Sequence, residues 1–194
     1  PPAHPVGRDV EVGVGAVITE PPPHILGVED GLGLGNHLVH VLLGGADAAA
    51  KMAILARLAF GAPVSLEDVP FEGIESVKPD DLAYAKELGL SLKLLGVAER
   101  VGEGQISVRV FPCFLYRGHP LAPIEGPFNA VMVEAPAITE VTMSGPGAGG
   151  LQTASAVLGD VVSILAGEAP VHETRVELPI VADVSSSFYL YLEV

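Results

Sequence analysis

The spacing of apolar positions changes period along this chain, and the changes mark its elements. From residue 46 to 60 the apolar residues recur at helical spacing, with Met52, Leu55, Ala56 and Ala59 forming one stripe. Alanine, leucine and methionine dominate there and no proline or glycine intervenes, so a helix is predicted, stopped by Gly61 and Pro63. A shorter helix is predicted over 79–88. Pro79 suits its first position, Asp80 and Asp81 its first turn and Gly89 its end, with Leu82, Ala85 and Leu88 facing inward. The period then falls to two. Residues 92–98 are mostly apolar, and Ile106, Val108 and Val110 alternate with Ser107 and Arg109, which predicts a half-buried antiparallel hairpin turning over 101–105. A β-rich run over 138–143 leads through a glycine-rich turn into a helix over about 153–166, closed by Gly167 and Pro170. Phe188, Leu190, Leu192 and Val194 alternate with polar or aromatic residues as a last strand.

The first 43 residues carry no such pattern. Pro1, Pro2, Pro5 and Pro21 to Pro23 break long elements, and two glycine clusters stand at Gly13–Gly15 and Gly31–Gly35. A dinucleotide fingerprint requires a third glycine three residues after the second and a helix behind it. Those third positions hold Ile18 and Asn36, and no clear helix follows, so both clusters are read as loops.

Composition narrows the function classes. The 194 residues are enough for one or two domains with a real core. Twenty-four acidic against 10 basic side chains give a formal charge of −14, which argues against a nucleic-acid partner. Mean hydropathy is high at +0.47, yet no apolar run reaches the ~18 residues of a membrane span. No secretory signal opens the chain, and one cysteine, Cys113, excludes an internal disulfide; a cytoplasmic location is expected. Cys113 sits in an apolar stretch and is read as an inert buried thiol.

Candidate chemistry is sparse. Asp47 and Lys51 are the only charges in the first two turns of the long helix, and their spacing of four puts them on one face. Such a pair is commonly a surface ion pair; it also suits an ammonium that donates a proton beside a carboxylate that orients it. The run Gly145 to Gly150 satisfies G-x-G-x-x-G between a strand and a helix, where small residues let a ligand approach the backbone. By the motif alone, a tight turn closing a strand–helix crossover is the favoured reading. His119, before Pro120, and Asn129 are read as structural: a hydrogen-bonding histidine, and a turn or backbone-capping asparagine. No metal site is suggested.

The wording around these residues goes further. The strings GADAAAKMAILARLAFG, HPLA, GPFNAV and GPGAGGLQTASAVLGD, together with Val69 to Ile74 and the tyrosine-alanine-lysine-glutamate-leucine-glycine run ending at Gly89, closely resemble homoserine dehydrogenases, in the family's order. The resemblance implies an α+β catalytic domain over 44–167: a mixed or antiparallel sheet with helices on one face, which in the family also forms a homodimer interface. It implies reversible hydride transfer between NADP or NAD and a small-molecule substrate, aspartate 4-semialdehyde, giving homoserine. It places Lys51 as the catalytic acid, Asp47 at the substrate and Gly149 beside the cofactor, where the chain returns to a nucleotide-binding domain. Gln152 stands where the family usually has proline. Residues 1–43 lack the family's asparagine-glycine-threonine-threonine stretch and its substrate-binding glutamate, whose ungapped position holds Asn36. They remain unassigned, residues 168–184 read as a linker, and 185–194 resemble the first strand of an amino-acid-sensing ACT domain. The rival expectation is a non-catalytic remnant that dimerises or binds an amino acid. On either reading, a chain without a recognisable Rossmann unit is expected to be inactive by itself.

Overall fold

The computed structural model describes residues 13–17, 44–102, 104–126, 128–147, 149–167, 176–182 and 184. Five strands, β1 (Gly13–Val17), β2 (Leu90–Val101), β3 (Gln105–Tyr116), β4 (Phe128–Ala135) and β5 (Thr139–Pro146), form one sheet in the order β3-β2-β1-β4-β5. Every neighbouring pair is antiparallel. Three helices accompany it: α1 (Ala46–Phe60), α2 (Pro79–Glu87) and α3 (Gly150–Leu165). The architecture is α+β, with the sheet antiparallel throughout.

The Gly13–Gly15 cluster, read above as a loop, is instead part of the central strand. Gly13 to Val17 pair with β2 on one side and β4 on the other. Two glycines in five residues lower strand propensity, but pairing on both sides overrides a local preference of about 1 kcal/mol. The Gly31–Gly35 cluster, Asn36 and residues 185–194 lie outside the described residues.

α1 lies across one face of β1, β2 and β3. Its buried side chains are Ala48, Ala49, Met52, Ala53, Ala56 and Phe60, packed with Leu94, Ala98, Ile106, Val108 and Val110 of the sheet. The inward stripe is therefore rotated from the one predicted: Ala59 is exposed and Leu55 only partly buried. Alanine-rich helices admit two overlapping stripes that share Met52 and Ala56, and the bulk of Phe60 belongs only to this one. Small residues bring helix and sheet close. A Cβ at Gly96 would stand 2.3 Å from Cγ of Met52, so the methionine occupies the room that glycine leaves.

α2 differs from expectation as well. Only Ala85 is buried, while Leu82 and Leu88 are exposed. Its N-terminus follows the predicted chemistry, since the Lys78 N–H donates to Asp81 Oδ2 at 2.8 Å. The opposite face of the sheet has its own cluster. Leu115, Ala130 and Met132 meet Leu121 and Ala122 from the turn after β3. Here His119 Nδ1 accepts the Leu121 N–H at 3.1 Å, and Lys93 Nζ donates to the Ile124 carbonyl at 2.5 Å. Ser107 is buried on this face too, and Arg109 gives it a hydrogen bond at 3.1 Å while standing 2.7 Å from Glu99. Both faces of the hairpin are thus largely covered, where alternation predicted one wet face.

The outer edge of β3 is protected by two extended pieces. Glu72 N–H and Val110 N–H exchange hydrogen bonds with Val110 and Pro70 carbonyls, and Ile106 does the same with Pro179 and Val181. The second half of the predicted linker therefore docks on the sheet, which removes a bare edge.

Candidate functional site

α1 delivers the acid–base candidates. Gly45 enters it at φ 87°, a conformation that suits glycine, and a Cβ there would press to 3.3 Å on the backbone of Glu72 and Gly73. The 70–73 segment, held by Val110, thus sets where the helix begins. Asp47 lies in the first turn, favoured by the helix dipole. Lys51, one turn on, ion-pairs with its carboxylate Oδ2. The side chains keep 43% (Lys51) and 29% (Asp47) of their exposure, so the pair is accessible to a small molecule. It sits on the side of α1 away from the buried stripe, in line with exposed Ile54 and Leu58.

Sheet register places the glycine turn relative to this pair. Val110, Gly96, Ala16, Val131 and Met143 form one rung across all five strands, with Met52 over its Gly96. The C-terminal end of α1 lies the other way along β2, where Phe60 meets the Arg100 guanidinium at 5.9 Å. The N-terminal half of α1, with Asp47 and Lys51, therefore points toward the end where β4 begins and β5 finishes. Gly145 to Gly149 leave the sheet at that same end. The two thus share one end of the strands but not one edge: α1 begins against the segment paired beside β3, while the glycine turn leaves β5 at the other edge of the sheet.

The turn itself is shaped by its neighbours. Gly149 precedes α3 at φ 135°, and a Cβ there would stand 2.3 Å from Gln152 Oε1. The Thr153 N–H bonds to the Gly149 carbonyl at 3.0 Å. A Cβ at Gly147 would stand 2.1 Å from Asn129 Nδ2, while one at Gly145 would meet nothing within 4 Å. Asn129 lies within β4, not in a turn as predicted, and it pairs with Gly145 across the strands. Its role could not be read from spacing, because only the β4–β5 register reveals what it faces.

α3 is exposed along its length, Leu151 and Leu165 to 81%, with Leu151, Leu158, Val161, Val162 and Leu165 on one face and Gln152, Thr153, Asp160 and Ser163 on the other. An amphipathic helix of this kind buries its apolar face against another element. Cys113 is half-buried, and burial pushes its thiol pKa up, against a smaller opposing pull from Arg109. Among the described residues no cluster of His, Cys, Asp and Glu could hold a metal ion, and no helix is long and apolar enough to cross a membrane.

An antiparallel α+β domain with a lysine–carboxylate pair on its covering helix and a glycine turn leading from its edge strand into a helix is the class this geometry defines. The homoserine dehydrogenase family profile matches residues 42–162. The chain is 41% identical over 161 residues to a homoserine dehydrogenase from Mycobacterium leprae, covering 77% of this chain and 36% of that protein. It is 46% identical over 121 residues to one from Bacillus subtilis, covering 62% and 28%. A crystal structure of a homoserine dehydrogenase from Thiobacillus denitrificans superposes with a TM-score of 0.71 at 31% identity, covering 89% of this chain and 46% of that one. The chain belongs to the homoserine dehydrogenase family, a family of NAD(P)-dependent oxidoreductases. It spans about a third of the length of these curated relatives.

Proposed function

We propose that this chain is the proton-transfer and substrate-holding part of a homoserine dehydrogenase, interconverting L-aspartate 4-semialdehyde and L-homoserine in the biosynthesis of threonine, methionine and isoleucine. The observation that carries it is the Asp47–Lys51 pair, accessible in the first two turns of α1 and free to meet a small molecule. Hydride arrival leaves negative charge on the aldehyde oxygen, and that is the barrier to be lowered. Lys51 Nζ gives its proton to that oxygen; Asp47 keeps the ammonium aimed, or grips the substrate's own polar groups.

The nicotinamide cofactor, NADP or NAD, supplies the hydride when bound. The turn fits one edge of such a ligand, since Gly145 faces open space and Gly149 has no side chain to obstruct approach. Gly149 borders the cofactor in this reading, and the exposed apolar length of α3 packs into the nucleotide-binding domain. The working protein is a cytoplasmic homodimer acting on a small molecule, with no nucleic-acid partner.

The test uses residues 42–162 grafted in place of the corresponding segment of the Bacillus subtilis enzyme. Lys51→Ala is expected to lower kcat by ~100-fold or more, as removal of a general acid does. A kcat within a few-fold of the parent graft, with the fold intact, would remove Lys51 from the acid role.

A further inference from the structure

The three glycines at 145, 147 and 149 look equivalent as a motif, but the structure separates them. Gly149 has a positive φ and Gly145 has free space. Gly147 is neither: its φ is not positive, so its backbone would accept alanine, yet its Cα is covered by the carboxamide of Asn129, with Nδ2, Cγ and Oδ1 at 2.1, 2.5 and 2.8 Å from a Cβ position. A side chain at 147 would have to displace that carboxamide, so glycine and Asn129 share the space there. Asn129 is partly buried and, by alternation with Val131 and Val133, which pack against the α1 core, it stands on the α1 face. Its backbone is held opposite Gly145. A short, two-torsion side chain on a rigid strand is a stiffer support than a loop residue.

We propose that Asn129 is a positioning residue for the cofactor-bordering turn: its carboxamide, laid on Gly147, holds the end of β5 from which the chain passes toward α3. The clamp is a property of this chain; its consequence for the cofactor rests on the reading given under Proposed function.

Two measurements test the parts separately. In the full 194-residue chain, Thr153 is a natural reporter because its N–H is bonded to the Gly149 carbonyl. Asn129→Ala is expected to speed hydrogen exchange at Thr153 by about tenfold while leaving the amides of α1 protected. Gly147→Ala should do more, because the new methyl group collides with Asn129. The double variant should be no worse than Asn129→Ala alone, since the vacated space accepts the methyl group. Additive effects, or none, overturn the clamp. In the Bacillus subtilis graft, Gly147→Ala should raise the KM for NADPH about tenfold and leave the KM for aspartate semialdehyde within twofold, with recovery in the double variant. A general loss of folding would instead lower apparent kcat with both KM values unchanged, and that result overturns a specific effect on the turn. If the parent graft itself fails to turn over, the homoserine dehydrogenase reading fails, while the Thr153 exchange still decides whether Asn129 holds the turn.

Discussion

Asp47 shows how little a side chain's identity says without its surroundings. A carboxylate four residues before a lysine on an exposed helix contributes about 0.2–0.5 kcal/mol to stability, so this pair is not what keeps α1 folded. Asp47→Asn in the graft should therefore leave the melting temperature nearly unchanged and depress kcat/KM for aspartate semialdehyde; an unaltered kcat/KM would return the pair to the class of ordinary surface ion pairs. Gly149 is separable in the same way. At φ 135° with Gln152 over it, a valine would be strained and obstructive. Gly149→Val should weaken cofactor binding, read as NADPH Kd, while the protection of α1 persists. Cys113 makes a pH statement. Burial raises its pKa, so at pH 8 a smaller fraction is thiolate than for a free cysteine. Its labelling by a thiol reagent should be slow there, rise as pH climbs past the usual thiol range, and become fast at pH 8 only on unfolding.

At the scale of elements, the site depends on how closely α1 sits on the sheet. Fully buried Met52 fills the space over Gly96, so Gly96→Ala forces the helix or the methionine to move. Overpacking of this kind costs about 1–3 kcal/mol. The variant should melt earlier, and the graft carrying it should lose activity through displacement of Lys51, because misplacement by ~1 Å is already costly for transfer chemistry. Full activity in Gly96→Ala would mean that α1 is not the rigid carrier described. The entry of α1 is set equally from outside the helix, by the 70–73 segment pressed on Gly45 and tied to Val110.

At the scale of the molecule, α3 carries the clearest consequence. Leu158, Val162 and Leu165 stand exposed on a helix whose only ionisable residue is Asp160. The isolated 194-residue chain should associate in a concentration-dependent way, and Leu158→Lys with Val162→Glu should reduce that association without lowering the melting transition of the sheet. The same chain should show no saturable NADPH binding at micromolar concentration, because β5, the glycine turn and α3 extend an antiparallel sheet and do not form the parallel βαβ unit that holds pyrophosphate and ribose. Saturable binding by the chain alone would place a cofactor site among residues 1–43.

The local chemistry of this chain was legible in its residues. α1 and its Gly61 stop, the β2–β3 hairpin, the aspartates opening α2 and the pairing of Asp47 with Lys51 all follow from short-range spacing and propensity, which act over a turn or two. The family resemblance rests on the same local strings. Three things were decided only by tertiary contact. Gly13–Val17 became the central strand because β2 and β4 both pair with it, a long-range gain that no five-residue window records. The buried stripe of α1 was settled by packing of Ala48, Ala49, Ala53 and Phe60 against the sheet, where periodicity allowed two stripes that share Met52 and Ala56. The meeting of Asn129 with Gly145 and Gly147 came from the register of β4 and β5, since spacing along a chain fixes which residues share a face but not which strands lie side by side.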